Sequence, residues 1–185
     1  MALSRIINSG VASIPSSVLP SGTVIQVKYT QFTGTNDLVV TTGSNSIFFS
    51  DLTVNITPTS TSSIIKIEAQ VYGEWDPQPA ATNSSVFFLR DSTKLGHTGA
   101  DNRSQGIGMM YTSYHTNDSN STPEGSSTFQ YYDTPATTSQ ITYKLAVTTG
   151  SGGNPTFYLN RTKGDTNDSS YERFISSISA TEIAG

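Results

Sequence analysis

Two histidines and fourteen carboxylates are the side chains best suited to chemistry in this 185-residue chain, which holds no cysteine. His97, in "KLGHTGAD", and His115, in "YTSYHTND", fall in separate loop-like stretches. A structural zinc site takes four ligands, so without thiolates each histidine would need carboxylate partners that the spacing does not supply. They read as surface histidines. In "GDTNDSS", Asp165, Asn167 and Ser169 offer oxygens two residues apart, as calcium loops do. The twelfth position counted from Asp165 is Ser176, where such a loop requires a bidentate Glu. That stretch and "NDSN" (Asn117 to Asn120) read as Asx-rich turns, and no metal or cofactor is expected.

Glycoside hydrolysis needs two carboxyl groups facing each other across a groove, and sequence spacing pairs none of them. Neither a Gly-x-Ser-x-Gly elbow, nor a Walker loop, nor a Gly-x-Gly-x-x-Gly fingerprint is present. No catalytic residue is assigned and the expected protein is not an enzyme. Sequons at Asn55, Asn83, Asn102, Asn117, Asn120, Asn160 and Asn167 are what a Ser/Thr-rich chain produces by chance.

Aromatic residues are the stronger binding signal. Trp75, Tyr111, Tyr114, Tyr131 and Tyr132 stand at strand ends or beside polar loops, with His115 among them. These six form the candidate surface-binding set, because rigid rings supply contact area for a sugar or a protein groove. The competing reading is core or subunit packing. Charge excludes other partners: the net charge is −4 and only 13% of residues are charged, so the basic footprint of nucleic-acid binding is missing. Arg5, Asn8, Ser9 and Gly10 interrupt the apolar start, so no signal peptide is expected. No run approaches the roughly 20 apolar residues of a spanning helix, so no membrane insertion is expected.

The elements that must position these residues repeat with period two. In "IIKIEAQVYGEW", Ile65, Ile67, Ala69, Val71 and Trp75 share one face, opposite Lys66, Glu68, Gln70 and Glu74. Ile141, Tyr143, Leu145 and Val147 alternate in the same way, as do Leu52, Val54 and Ile56, and Ile25, Val27 and Tyr29 share a fourth such face. Segments such as "TGTND", "TPTSTSS" and "GSGGNP" between them carry turn chemistry. About eight to ten strands without helices predict an all-β fold, an antiparallel β-sandwich or jelly roll spanning 21–185. Residues 1–20 do not alternate, and Pro15 and Pro20 favour an extended N-terminal arm. Its aliphatic residues Leu3, Ile6, Ile7, Val11, Ile14 and Leu19 are the candidate anchors.

The last segment, "FISSISATEIAG", alternates imperfectly: Ile175 and Ile183 share one parity, Phe174, Ile178 and Ala180 the other. Either both faces are covered or a bulge shifts the register. The expectation is a central strand whose small residues let another subunit approach. Phe174, Ile178, Ala180 and Ile183 are then candidates for a subunit interface, and Glu182 is the polar residue without an explanation.

Five stretches, "LPSGTVIQV", "ITPTSTSSIIKI", "FFLRDSTKLG", "YYDTPATTSQITYKL" and "TEIAG", together resemble a β-module of tailed-phage virion proteins, common in marine and cyanobacterial viruses. "DTPATTSQITYKL" paired with "ITPTSTSS" carries most of the likeness, which runs from about Leu19 to Gly185. It implies a jelly roll that forms a homotrimer on the virion surface, assembled in the host cytoplasm and bound through its arm to other virion proteins of tail or capsid. The implied function is a tail-fibre-like, receptor-binding appendage that touches a host surface glycan or protein. The alternative is a capsid decoration (cement) protein. A glycan-degrading spike is the third reading, and the lack of a long repeat weighs against it. The insertions "DPQPAATNSS" and "HTNDSNSTPEGSS" depart from the pattern, as does the extra Ile in "SIIKI", so no ligand surface on those loops carries over.

Overall fold

Strands that present apolar residues at every second position bury one face each, and two such sheets stacked face to face close a core. The computed structural model describes residues 18–41, 47–76, 83–97, 103–110, 126–150 and 153–185. Among them are ten strands: β1 (Val24–Phe32), β2 (Asn36–Val39), β3 (Ile47–Ile56), β4 (Ile64–Asp76), β5 (Ser84–Arg90), β6 (Thr93–Leu95), β7 (Ser126–Asp133), β8 (Ile141–Thr149), β9 (Thr156–Leu159) and β10 (Ser176–Ile183). All their pairings are antiparallel and the described residues form no α-helix, so the fold is an all-β, sandwich-like arrangement of antiparallel sheets.

One sheet has the order β3–β8–β5–β6. The other, called the first sheet because β1 opens it, runs β1–β10–β4–β9–β2, with β7 on β4. Its geometry is simpler than that order suggests. A residue in a strand points its N–H and C=O to the same edge, and Tyr72 N–H donates to Ser176 Oγ while Tyr72 O accepts from Asn160 N–H. β9 and β10 therefore lie end to end along one edge of β4, as a single strand interrupted by an excursion over 161–175. β1 and β2 pair with β10 and β9 in the same succession, broken only at 33–35. The layer is thus four strands wide: β1/β2, β10/β9, β4, β7.

The period-two faces read from the sequence meet in the middle. Leu52, Val54 and Ile56, Ile65, Ile67, Ala69 and Val71, and Ile141, Tyr143, Leu145 and Val147 are all buried in one cluster. Trp75 completes it, its ring 5.1 Å from Phe157 in an edge contact, and Phe157 meets Phe49 at 5.5 Å. A Cβ on Gly73 would stand 2.3 Å from Tyr158 O and 2.5 Å from the Phe157 ring, so only glycine lets β4 pass this cluster.

Strand β1 runs against the simple pattern. Val27 and Tyr29 do share a face, and that face is the outer one, at 53% and 74% exposure. A register shift between Val24 and Gln26 puts Val24 on the outer side as well, opposite Ile183. The edge of β1 is closed against the other sheet by side chains, Gln26 Nε2 donating to Thr57 O at 2.8 Å and Thr30 Oγ1 to Thr53 O at 2.6 Å. Closing an edge in this way protects it from pairing with a foreign strand.

β10 lies between β1 and β4, as expected of a central strand, but its register carries no bulge against β4. Ser176, Ile178, Ala180 and Glu182 face inward and are buried, while Ser177, Ser179, Thr181 and Ile183 face outward. Ile178 and Ala180 lie in the chain's own core, which corrects their assignment to a subunit interface: an inward-facing side chain at 0% exposure has no surface left to offer.

Candidate functional site

Three features stand out among the described residues: the outer face of the first sheet, the 161–175 excursion, and a buried carboxylate that ties β10 to β1 and to the loop before β4. The carboxylate is Glu182. Burial opposes its ionisation, but Ser63 Oγ and Gln26 Nε2, both at 2.6 Å, and Thr59, through its N–H at 2.6 Å and Oγ1 at 2.7 Å, donate to it. These donors outweigh the desolvation and hold the carboxyl below its usual range. The residue left unexplained in the sequence is therefore a structural knot between β1, β10 and the loop that leads into β4. Leu19 packs beside this knot in a small hollow with Ile25, Ser62 and Gly185, so the end of the expected arm rests on the body of the sandwich.

A second buried network sits where β7 meets the other sheet. Asp133 accepts from Arg90 Nη1 at 2.9 Å and from the Tyr143 hydroxyl at 2.7 Å. Burial, then the neighbouring Asp133, push the phenol far above its ordinary range, so it stays a hydrogen-bond donor. In each network a hydroxyl beside the carboxylate is sealed in the interior, Ser63 at 1% and Tyr143 at 0% exposure. Among the described residues no group of three or more His, Asp or Glu side chains is placed to hold a metal ion.

The outer face of the first sheet takes its residues from four strands in register. One row runs Val27, Thr181, Lys66, Tyr132; the next runs Tyr29, Ser179, Glu68, Gln130. Lys66 and Glu68 form an ion pair of 2.8 Å in the middle. Towards the end where the chain enters, Val24, Ile183 and Ile64 lie side by side. The face is thus apolar at one end and lined with hydroxyls and amides at the other. No described strand covers it.

The excursion begins and ends on buried polar contacts. Asn160, 1% exposed with φ +60°, donates through Nδ2 to Phe32 O at 2.8 Å and Gly34 O at 2.9 Å, bridging the break between β1 and β2. Its Oδ1 accepts from Ser176 Oγ at 2.6 Å. Buried and bonded on both sides, this sequon asparagine has no room for a glycan. Beyond it, Arg161 binds Asp37 through two nitrogens and Arg173 grips Asp165 with contacts of 2.7 Å. The Asp165 carboxylate, considered as a calcium ligand in the sequence, is thereby engaged by arginine. Lys163 N–H donates to Glu74 Oε2 at 2.7 Å and Lys163 Nζ meets Asp76 at 3.0 Å, which explains how Glu74, on the outer side of β4, is fully buried.

The aromatic set divides. Trp75 is 0% exposed in the core, because β4 continues through it to Asp76, so its assignment to a surface loop is corrected. Tyr131 is on β7 with its side toward the core, and Tyr132, 54% exposed, faces outward. Phe174 precedes β10, is 40% exposed and stacks on Tyr72 at 5.2 Å. Tyr111, Tyr114 and His115, and the arm residues Leu3, Ile6, Ile7, Val11 and Ile14, lie outside the described residues. Reading by residue type missed Tyr29, the most exposed large apolar side chain among the described residues, since a Tyr at a period-two position looks like core.

Fold and surface together define a β-sandwich with one bare, mixed apolar and polar sheet face. No family model matches this chain and no curated protein matches it significantly.

Proposed function

We propose that this chain is a non-enzymatic structural protein of a tailed-phage virion, a homotrimeric appendage module anchored by its N-terminal arm and touching a host surface glycan or protein. The observation that carries this reading is the outer face of the first sheet. Val24, Val27, Tyr29 and Tyr132 are each more than half exposed there, on paired strands rather than on a loop. Val24, Val27 and Tyr29 adjoin along β1, with Tyr132 across the Lys66–Glu68 pair, and a symmetric oligomer is the simplest way to cover exposed apolar side chains on a sheet face. Three copies would also raise weak single contacts to useful avidity.

Purified virions test the assignment. Quantifying this chain against the major capsid protein should give a few trimers per particle. A stoichiometry near that of the capsid protein would replace the appendage by a capsid decoration protein, and absence from the particle would end the virion reading. Light scattering of the isolated protein should give the mass of three chains.

A further inference from the structure

The 161–175 excursion is attached to the sandwich by other forces than those that hold the strands together. Thr162 is its one buried residue, and none of its side chains joins either apolar cluster of the core. Phe174 and Ile175 stay 40% and 45% exposed. Lifting this segment therefore uncovers little apolar area, and segments of that kind open well below the cost of global unfolding.

What holds the excursion down is charge. It lies on the outer face of the first sheet, at the end of β4 away from Ile64. Arg161 binds Asp37 on β2 with contacts of 2.7 Å and stands 4.5 Å from the centre of the Tyr158 ring on β9. Lys163 Nζ meets Asp76 at 3.0 Å and its N–H donates to Glu74, both on β4. Register places Asp37, Tyr158 and Glu74 in one row across three strands, with Asp76 two residues further along β4. The excursion thus sets two cations over a patch that would otherwise gather like charges, and Phe174 adds a stack on Tyr72. Water reaches both ion pairs, for the Asp37 side chain is 49% and that of Lys163 36% exposed, so salt screens them. The two ends of the excursion are fixed differently. Asn160 follows β9 and Ser176 opens β10, and both are buried and hydrogen-bonded to each other.

We propose that the excursion is a latched flap. It swings off the outer face about the Asn160–Ser176 base while both sheets stay closed, and the ion pairs of Arg161 and Lys163 are the latch. Opening uncovers Tyr72, Tyr158, Glu74 and Asp76, which extends the bare face by an acidic and aromatic stretch. The flap thereby sets how much of that face a partner can meet. This device goes beyond the virion reading and does not depend on it.

Hydrogen exchange of the full chain at pH 7, followed by NMR, tests it. Lys163 is the reporter, since its N–H bonds to Glu74 only while the flap is closed. Its amide should exchange at least about a hundredfold faster than the ladder amides of β4 and β8. Sodium chloride at about 0.5 M, and separately Asp37→Asn combined with Asp76→Asn, should each speed it a further three- to tenfold or so, the scale of two partly exposed ion pairs. The ladder amides should not respond. The proposal is overturned if Lys163 exchanges at the rate of the ladders, if either treatment leaves its rate unchanged, or if the ladder amides speed up with it. Should the double variant fail to fold, the salt series on the parent protein decides.

Discussion

Ser176 Oγ donates to Asn160 Oδ1 at 2.6 Å, and through this contact the two residues close the base of the 161–175 excursion and join β9 to β10 as one interrupted strand. Asn160 also binds two carbonyls across the β1–β2 break, so a single side chain holds both interruptions of the sheet in line.

Replacing Asn160 should therefore be among the most damaging changes outside the apolar core. Asn160→Ala strands the Phe32 and Gly34 carbonyls and forces alanine into a left-handed conformation, at a combined cost of about 3–5 kcal/mol. Asn160→Gly loses the same side-chain bonds without the strain, so it should be more stable than the alanine variant by about 1 kcal/mol. Urea denaturation of both variants measures the difference. Equal stabilities would mean that the backbone conformation carries no penalty.

Glu182 should make stability depend on acid. Its folded pKa is depressed, so its contribution is fully present above its unfolded value of 4.5 and is lost as pH falls through the folded value. Denaturation midpoints should fall below pH 4.5 in the parent. In Glu182→Gln that component should be missing, with stability at pH 7 reduced by about 2–3 kcal/mol through loss of charge-assisted bonds. Parallel pH curves for parent and variant would refute the assignment.

Gly73→Ala should destabilise by at least about 1–3 kcal/mol, since the added methyl meets a backbone carbonyl that cannot rotate away. The companion change Phe157→Leu relieves only the contact with the ring. If it restored full stability to the alanine variant, the clash with Tyr158 O would not be the cause.

On the outer face, Val27→Lys and Tyr29→Ser should leave the single chain folded, with an unchanged far-UV circular dichroism spectrum, because within one chain both side chains are more than half exposed. The paired variant should shift the mass in light scattering from three chains to one. An unchanged oligomer would move the interface away from the first sheet, and a lower melting temperature at fixed oligomer would show that these side chains support the monomer.

Tyr143→Phe isolates the Asp133 network. Its folded phenol pKa is raised, so the hydroxyl's contribution is present below about pH 10, its unfolded value, and declines as pH rises above that. The variant should lose about 1–2 kcal/mol at neutral pH and show a weaker alkaline decline. Denaturation curves at pH 7 and pH 10.5 would check both parts.

Period two was enough to name the faces of β3, β4 and β8, because a strand buried on one side writes its packing into every second residue. That reading worked wherever the buried partner was another apolar face. It stopped at β1, whose outer valines and tyrosine look in sequence like any core face; Trp75 it placed on the core face, and the turn signal from Asp76 and Pro77 drew that residue into the surface set. Glu74 and Glu182 show the same limit: each has the sign of a solvent-facing residue, and each is buried by donors from distant parts of the chain.

The amino-acid sequence by itself determined the class of fold, all β with antiparallel sheets, since local alternation and turn chemistry are properties of neighbours along the chain. Only the tertiary structure decided that β9 and β10 are one strand, that Ile178 and Ala180 belong to the core, and that Glu74 is buried under the excursion. Those are facts of register and closure between residues far apart in sequence, and a one-residue change in pairing reverses which face every side chain presents.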